Sequence, residues 1–142
     1  MSIPVRLVVP RDVADEMVRH AQEERPRECC GLLAGERLEG MGRVKRLFRL
    51  VNALASGVEY ESEPASMLRA MKAIDAEGLE VLAVYHSHPT SPPVPSRKDL
   101  ERNPYEEWAA HAIISLATEA PEVRFWWLGE SAYREAEWEV VE

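Results

Sequence analysis

The chain opens with two changes of hydrophobic period in its first 26 residues. "IPVRLVVP" is rich in branched side chains and alternates, so Ile3 to Val9 is predicted as a strand. Pro10 then opens a helix, because "RDVADEMVRHAQEER" sets Val13, Met17 and Ala21 on one face with polar residues opposite. Pro26 ends it, since its ring cannot continue the hydrogen-bond ladder. "CCGLLAGE" reads as a short apolar strand. "GRVKRLFRLVN" reads as a longer one, with Val44, Arg46, Phe48 and Leu50 alternating against Lys45, Leu47 and Arg49. The turn "ERLEGMG" between them makes a hairpin.

"EPASMLRAMKAIDAEG" predicts a second amphipathic helix, with Pro64 in its first turn, Met67, Leu68, Met71 and Ile74 as apolar positions, and Gly78 at the stop. "EVLAVYHSH" follows with an unbroken apolar run, Val81 to Tyr85, the pattern of a central strand covered on both faces. Further strands are expected at "HAIISLA", "VRFWWLGE" and "YREAEWEVVE". At 142 residues this reads as one domain over 1–142, α/β in class.

Charge narrows the partners. Seventeen Lys and Arg against 25 Asp and Glu give a net charge of -8, which offers no footprint for nucleic acid or anionic lipid. No apolar stretch approaches a membrane span, and "MSIPVRLVVPRD" lacks a signal-peptide cleavage region. The two cysteines, Cys29 and Cys30, are adjacent and poorly placed to bridge each other. A soluble, reducing, cytoplasmic setting is the expectation.

The chemistry gathers in "VYHSHPTSPPVPSRKDL", Val84 to Leu100. Strand geometry puts His86 and His88 on one face and Ser87 on the other, so two imidazoles stand side by side, a pair that suits zinc. A His-x-His pair alone is more often a polar strand end than a metal site. "PTSPPVP" is too rich in proline for regular structure and leads to Ser96, where "SRKD" has its own plain reading as a capping box opening the helix "RKDLERN". That reading leaves the histidines unexplained. Two imidazoles and the Asp99 carboxylate make three protein ligands with a fourth position open, the count of a catalytic rather than a structural zinc site.

The pattern of His-x-His, seven residues, Ser, two residues and Asp resembles the signature of the JAMM (MPN-plus) metalloproteases, with their upstream glutamate matched at Glu28 in "PRECCGLLAG". The order of elements through "VNALASGVEYE" and "GLEVLAVYHSHP" is similar to compact bacterial members associated with ubiquitin-like sulfur carriers. The resemblance implies an α/β fold, a curved mixed sheet flanked by helices and related to cytidine deaminases, with the metal at the C-terminal end of the His86 strand. It implies zinc on His86, His88 and Asp99, Glu28 as general base and then proton donor, and Ser96 steadying the oxyanion. The implied activity is hydrolysis after the C-terminal Gly-Gly of a small ubiquitin-like β-grasp carrier. The chain has no room for the long insertions with which eukaryotic deubiquitinating relatives grip chains. Monomer or homodimer is left open.

Two other classes compete. A zinc deaminase would need His-x-Glu followed by Pro-Cys-x-x-Cys, and neither is present. A non-catalytic MPN-type scaffold would have lost ligands that are all intact here. Elsewhere, at least one of Cys29 and Cys30 is expected to be buried packing, His111 a structural histidine and His20 a solvated one. Of Trp126 and Trp127, on opposite faces of a strand, one is expected in the core and the other at a surface for a partner.

Overall fold

The computed structural model describes residues 6–101 and 109–142. Its elements run β1 (Arg6–Pro10), α1 (Arg11–Glu24), β2 (Cys30–Leu38), β3 (Met41–Leu50), α2 (Pro64–Ala76), β4 (Glu80–His88), α3 (Arg97–Glu101), β5 (Ala110–Ser115), β6 (Glu122–Leu128), β7 (Tyr133–Glu135) and β8 (Glu137–Val141). The expected strand residues 3–5 and the end of the helix expected over 97–103 lie outside the described residues.

The described strands form one sheet in the order β7-β6-β5-β4-β2-β3-β1-β8. The pairs β1 with β3, β1 with β8 and β4 with β5 are parallel and the others antiparallel, so the sheet is mixed as expected. Its two edge strands, β7 and β8, are separated in the chain by Ala136 alone. The sheet therefore curls until its edges almost meet. The single strand expected over "YREAEWEVVE" is corrected to two, because Ala136 is buried and its N–H donates to the Phe125 carbonyl at 2.8 Å, after which the chain pairs with β1.

Each face of the sheet has its own core. On the α1 face, Leu7, Val9, Met17, Leu33, Tyr85 and Phe125 pack together; on the α2 face, Cys30, Leu32, Leu50, Ala70, Ile74 and Val84 do so. Removing each large aliphatic side chain from water contributes about 1.5 to 3 kcal/mol. β4 lies between β5 and β2 and is buried from Val81 to His88, the doubly covered central strand the apolar run predicts.

Three departures have local causes. Glu39 (φ 45°) and Gly40 (φ 80°) form the whole hairpin turn, so β2 and β3 extend into what reads as a longer loop. Ala34 pairs with Arg46 but Gly35 with Val44, leaving Lys45 as a bulge in β3. The bulge inverts the alternation: Val44 and Leu47 face the α1 core, while Phe48 and Leu50 face the α2 core. In α2 the buried stripe is Ser66, Ala70 and Ile74, whereas Leu68 and Met71 are exposed. Ser66 fixes that rotation, its hydroxyl accepting the Val51 N–H at 3.1 Å and donating to the Glu63 carbonyl at 3.0 Å.

One close approach crosses the α1 core. Gly31 pairs with Tyr85, and a Cβ there would sit 2.1 Å from the tyrosine ring. Tyr85 thus lies flat over β2 and brings its hydroxyl to 2.7 Å from His20 Nδ1. His20 is buried, not solvated as its place in the helix pattern predicts. Burial, together with the Arg49 charge, pulls its pKa down to about 4.

Candidate metal centre and active site

β4 turns the His86 and His88 side chains toward the α2 face, and both are buried. Ser87 points the other way, and its Oγ accepts the Cys29 N–H at 2.8 Å. The pairing of Cys30 with His86, continued by Ser87 N–H to the Cys29 carbonyl at 3.1 Å, sets Glu28 in line with His88. The tertiary fold thereby brings a residue 58 positions upstream to the histidines' side.

Asp99 arrives from α3. Its Oδ1 lies 3.2 Å from His86 Nε2, its Oδ2 lies 3.2 Å from His88 Nε2, and the two Nε2 atoms are 3.2 Å apart. Two imidazole nitrogens and one carboxylate thus converge, with one ligand atom from each of the three residues within 4.8 Å of the others. Tetrahedral ligands on zinc at about 2.0 to 2.1 Å are separated by roughly 3.3 Å, so each of these pairwise spacings is that of two ligands sharing one such ion. The donors' chemistry agrees. His88 Nδ1 donates to the Pro92 carbonyl at 2.8 Å, which leaves Nε2 with a lone pair facing another imidazole nitrogen and a carboxylate. A cation is what such a set accommodates. Among the described residues these three are the group of His, Cys, Asp and Glu placed to hold a metal ion.

The proline loop is pinned at three consecutive carbonyls by three neighbouring strands. Ser115 Oγ donates to Ser91 O at 2.6 Å, His88 to Pro92 O, and Trp126 Nε1 to Pro93 O at 2.9 Å. The loop delivers Ser96 and Asp99 in a reciprocal cap: Ser96 N–H donates to Asp99 Oδ2 at 2.8 Å and Asp99 N–H to Ser96 Oγ at 3.1 Å. The capping reading is therefore correct as geometry. Because Ser96 Oγ accepts in this cap, its own proton stays available for donation.

Glu28 is buried at 3% exposure, and its Oε1 finds no partner among the described residues. Burial pushes its pKa up to about 7, against the opposing pull of His86 and His88. Burial alone would also raise Asp99, but the charges and hydrogen bonds of His86 and His88 prevail and hold it well below the usual carboxylate range. Two neighbouring carboxylates are thus pushed in opposite directions, one fitted to carry protons and one to stay anionic.

Beside the centre lies a groove of about 510 Å³, walled by Gly31, Leu50, Glu59, Tyr60, Lys98 and Asp99. Lys98 and Glu59 meet at 3.5 Å. Asn52 knits the wall: its Nδ2 donates to the Glu28 and Glu59 carbonyls at 3.0 and 3.3 Å, and its Oδ1 accepts the Glu61 N–H at 3.1 Å. Tyr60 stacks on His86 with ring centres 4.7 Å apart.

A sequence model of prokaryotic homologs of the JAB domain matches residues 10–129. The chain belongs to this prokaryotic JAB family. It is 41% identical over 96 residues to a probable TtuB-protein conjugate cleaving protease of Thermus thermophilus, covering 67% of this chain and 62% of that one. It is 32% identical over 139 residues to the CysO-cysteine peptidase of Mycobacterium tuberculosis, covering 96% and 92%. The solution structure of protein DSY2949 from Desulfitobacterium hafniense superposes with a TM-score of 0.86 at 30% identity, covering 96% of this chain and 93% of that one. The JAB assignment agrees with the JAMM resemblance carried by Glu28, His86, His88, Ser96 and Asp99, and with the curved mixed sheet.

Outside that motif the cysteines and His111 are buried as expected, and the tryptophans depart from expectation. Cys29 and Cys30 are both buried, and burial pushes both thiols up to about 12, so neither is a nucleophile. Trp126 and Trp127 are both buried, so neither offers a partner surface; Trp126 closes over Ile113, Leu128, Val94 and Leu100 under the proline loop. His111 is buried, and burial lowers its pKa to about 3. Sequence reasoning missed Asn52, Tyr60 and the Pro92 carbonyl. Only Asn52 carried a signal, as a lone amide ending an apolar strand.

Proposed function

We propose that this chain is a zinc-dependent peptidase, one domain over 1–142, that hydrolyses the amide bond after the C-terminal Gly-Gly of a small ubiquitin-like β-grasp carrier. The observation that carries this reading is the convergence of His86 Nε2, His88 Nε2 and the Asp99 carboxylate at 3.2 Å contacts at the end of β4, with a buried, protonatable Glu28 aligned beside them. His86, His88 and Asp99 would hold the zinc. When bound it supplies a Lewis acid that polarises an amide carbonyl and makes water nucleophilic near neutral pH.

The protein's own groups do the rest. Glu28 takes a proton from the attacking water as the C–O bond forms, and returns it to the amine nitrogen as the C–N bond breaks. A pKa near 7 suits both halves of that transfer. Ser96 donates its hydroxyl proton as a hydrogen bond to the oxygen that gains charge, while the cap holds its Oγ in place. The cap also keeps Asp99 ionised by occupying Oδ2 with a backbone N–H.

The groove supports a thin, flexible substrate. Glycines offer the least bulk to a groove walled by Tyr60 and Leu50, and a tail in extended form takes affinity from backbone hydrogen bonds while the folded carrier supplies selectivity. The relatives named for a TtuB conjugate and for CysO-cysteine support a carrier of this kind, with either a lysine-linked protein or a single amino acid as leaving group. The compact loops favour the smaller one. No described helix is long and apolar enough to cross a membrane, and the reduced cysteines fit a cytoplasmic enzyme.

The test incubates zinc-loaded protein with two carrier adducts, one bearing cysteine and one bearing a lysine-linked protein, and follows mass. Release of carrier ending in Gly-Gly is expected. Equal cleavage of unrelated unfolded peptides would make it a general peptidase, and zinc binding without any cleavage would make it a scaffold.

A further inference from the structure

The two histidines of the centre are held in different ways. His88 has the usual support of a metal-binding imidazole, its Nδ1 donating to the Pro92 carbonyl at 2.8 Å. His86 has none: its Nδ1 is buried and finds no hydrogen-bond partner among the described residues. A hydrogen bond therefore does not set the ring orientation of His86. What lies against it is the ring of Tyr60, with centres 4.7 Å apart and planes within 23° of parallel.

Tyr60 is itself fixed. The Asn52 carboxamide grips the chain on both sides of it, donating to the Glu59 carbonyl and accepting the Glu61 N–H, while the bridge of Asn52 with Ser62 closes the segment. The same amide nitrogen donates to the Glu28 carbonyl. One side chain thus ties the segment bearing Tyr60 to the acid itself, two residues before β2. The tyrosine ring also packs against the α2-face core, so its position is set from two directions.

We propose that Tyr60 is a positioning residue for the metal centre: its ring face, anchored through Asn52, holds the His86 imidazole so that Nε2 points at the ion, in place of the missing hydrogen bond at Nδ1. This rests on the zinc site of the proposed function. A flat ring face restrains an imidazole by stacking, which an aliphatic side chain of similar volume cannot reproduce. Loss of an outer support of this kind typically weakens metal binding by about ten- to a hundredfold.

The experiment measures zinc affinity by competition with a chromogenic chelator, and records the visible spectrum of the cobalt-substituted protein, for wild type, Tyr60→Phe, Tyr60→Leu and Tyr60→Ala, with circular dichroism to confirm folding. Tyr60→Phe should match wild type. Tyr60→Leu and Tyr60→Ala should bind zinc about ten- to a hundredfold more weakly and show altered cobalt bands. If Tyr60→Ala does not fold, Tyr60→Leu alone decides. Wild-type affinity and spectrum in Tyr60→Leu would overturn the role of the ring. No zinc binding by wild-type protein would instead remove the centre itself, a distinct result.

Discussion

Trp126 Nε1 donates to the Pro93 carbonyl at 2.9 Å, inside a small apolar cluster under the loop that brings Asp99 to the histidines. The bond joins β6 to a segment with little regular structure of its own. Trp126→Phe keeps the apolar bulk but leaves a buried carbonyl unpaired, which costs about 1 to 3 kcal/mol. We expect a lower melting temperature together with weaker zinc binding, because Pro92, next to Pro93, orients His88. Unchanged zinc affinity in a destabilised variant would mean that the loop is held well enough by Ser115.

His86→Ala, His88→Ala and Asp99→Ala should each lose tightly bound zinc, and a chelator should abolish activity until zinc is restored. Metal analysis of purified proteins checks this. A double histidine variant retaining one zinc per chain would place the metal elsewhere.

Glu28 separates proton transfer from metal binding. Glu28→Gln should keep zinc and fold while turnover falls by about a hundredfold to ten-thousandfold. Removing a carboxyl whose ionised form is disfavoured by burial should also leave thermal stability near neutral pH equal or higher. If zinc is lost with the substitution, Glu28 is a ligand rather than a base.

Ser96 caps α3, and the proposed function adds an oxyanion role. Ser96→Ala should lower stability by about 0.5 to 2 kcal/mol through the lost cap and turnover by roughly a hundredfold to a thousandfold through the lost donor. Normal turnover in a variant that melts early would confine Ser96 to capping.

The buried pair of His20 and Tyr85 makes stability fall in mild acid. Above its ordinary value near 6.5, His20 is neutral in both folded and unfolded chains and pH has no effect through it. Below that, the unfolded chain takes up the proton first, so stability drops as pH falls from about 6.5 to about 4 and levels off beneath. The loss through this residue is about 3 to 4 kcal/mol, the span from 6.5 to about 4 at about 1.4 kcal/mol per pH unit. His20→Gln should flatten this part of the profile in denaturant titrations at stepped pH, with the total acid loss reduced.

The histidine pair, the serine and the aspartate were legible because their spacing is local: two positions apart in a strand, or one turn of a helix. Fold class, the doubly covered β4 and the cap at Ser96 follow from the same short-range rules of alternation, helical period and capping. Glu28 was legible only through resemblance, since no local rule ties it to residues 58 positions on.

What the tertiary structure decided is long-range. Whether one strand or two follows Tyr133 depends on how far the sheet curls, because Ala136 is where the chain leaves one edge for the other. The burial of His20 depends on Tyr85 crossing Gly31, a close approach between strands far apart in the chain. The inversion of faces along β3 comes from a bulge at Lys45, which no alternation count detects because an extra residue shifts the period without changing composition. The stacking of Tyr60 on His86 depends on a side-chain amide holding an irregular segment in place. Periodicity reports which face a residue prefers. Which partner it meets there is set by chain closure and packing, and these are properties of the whole fold.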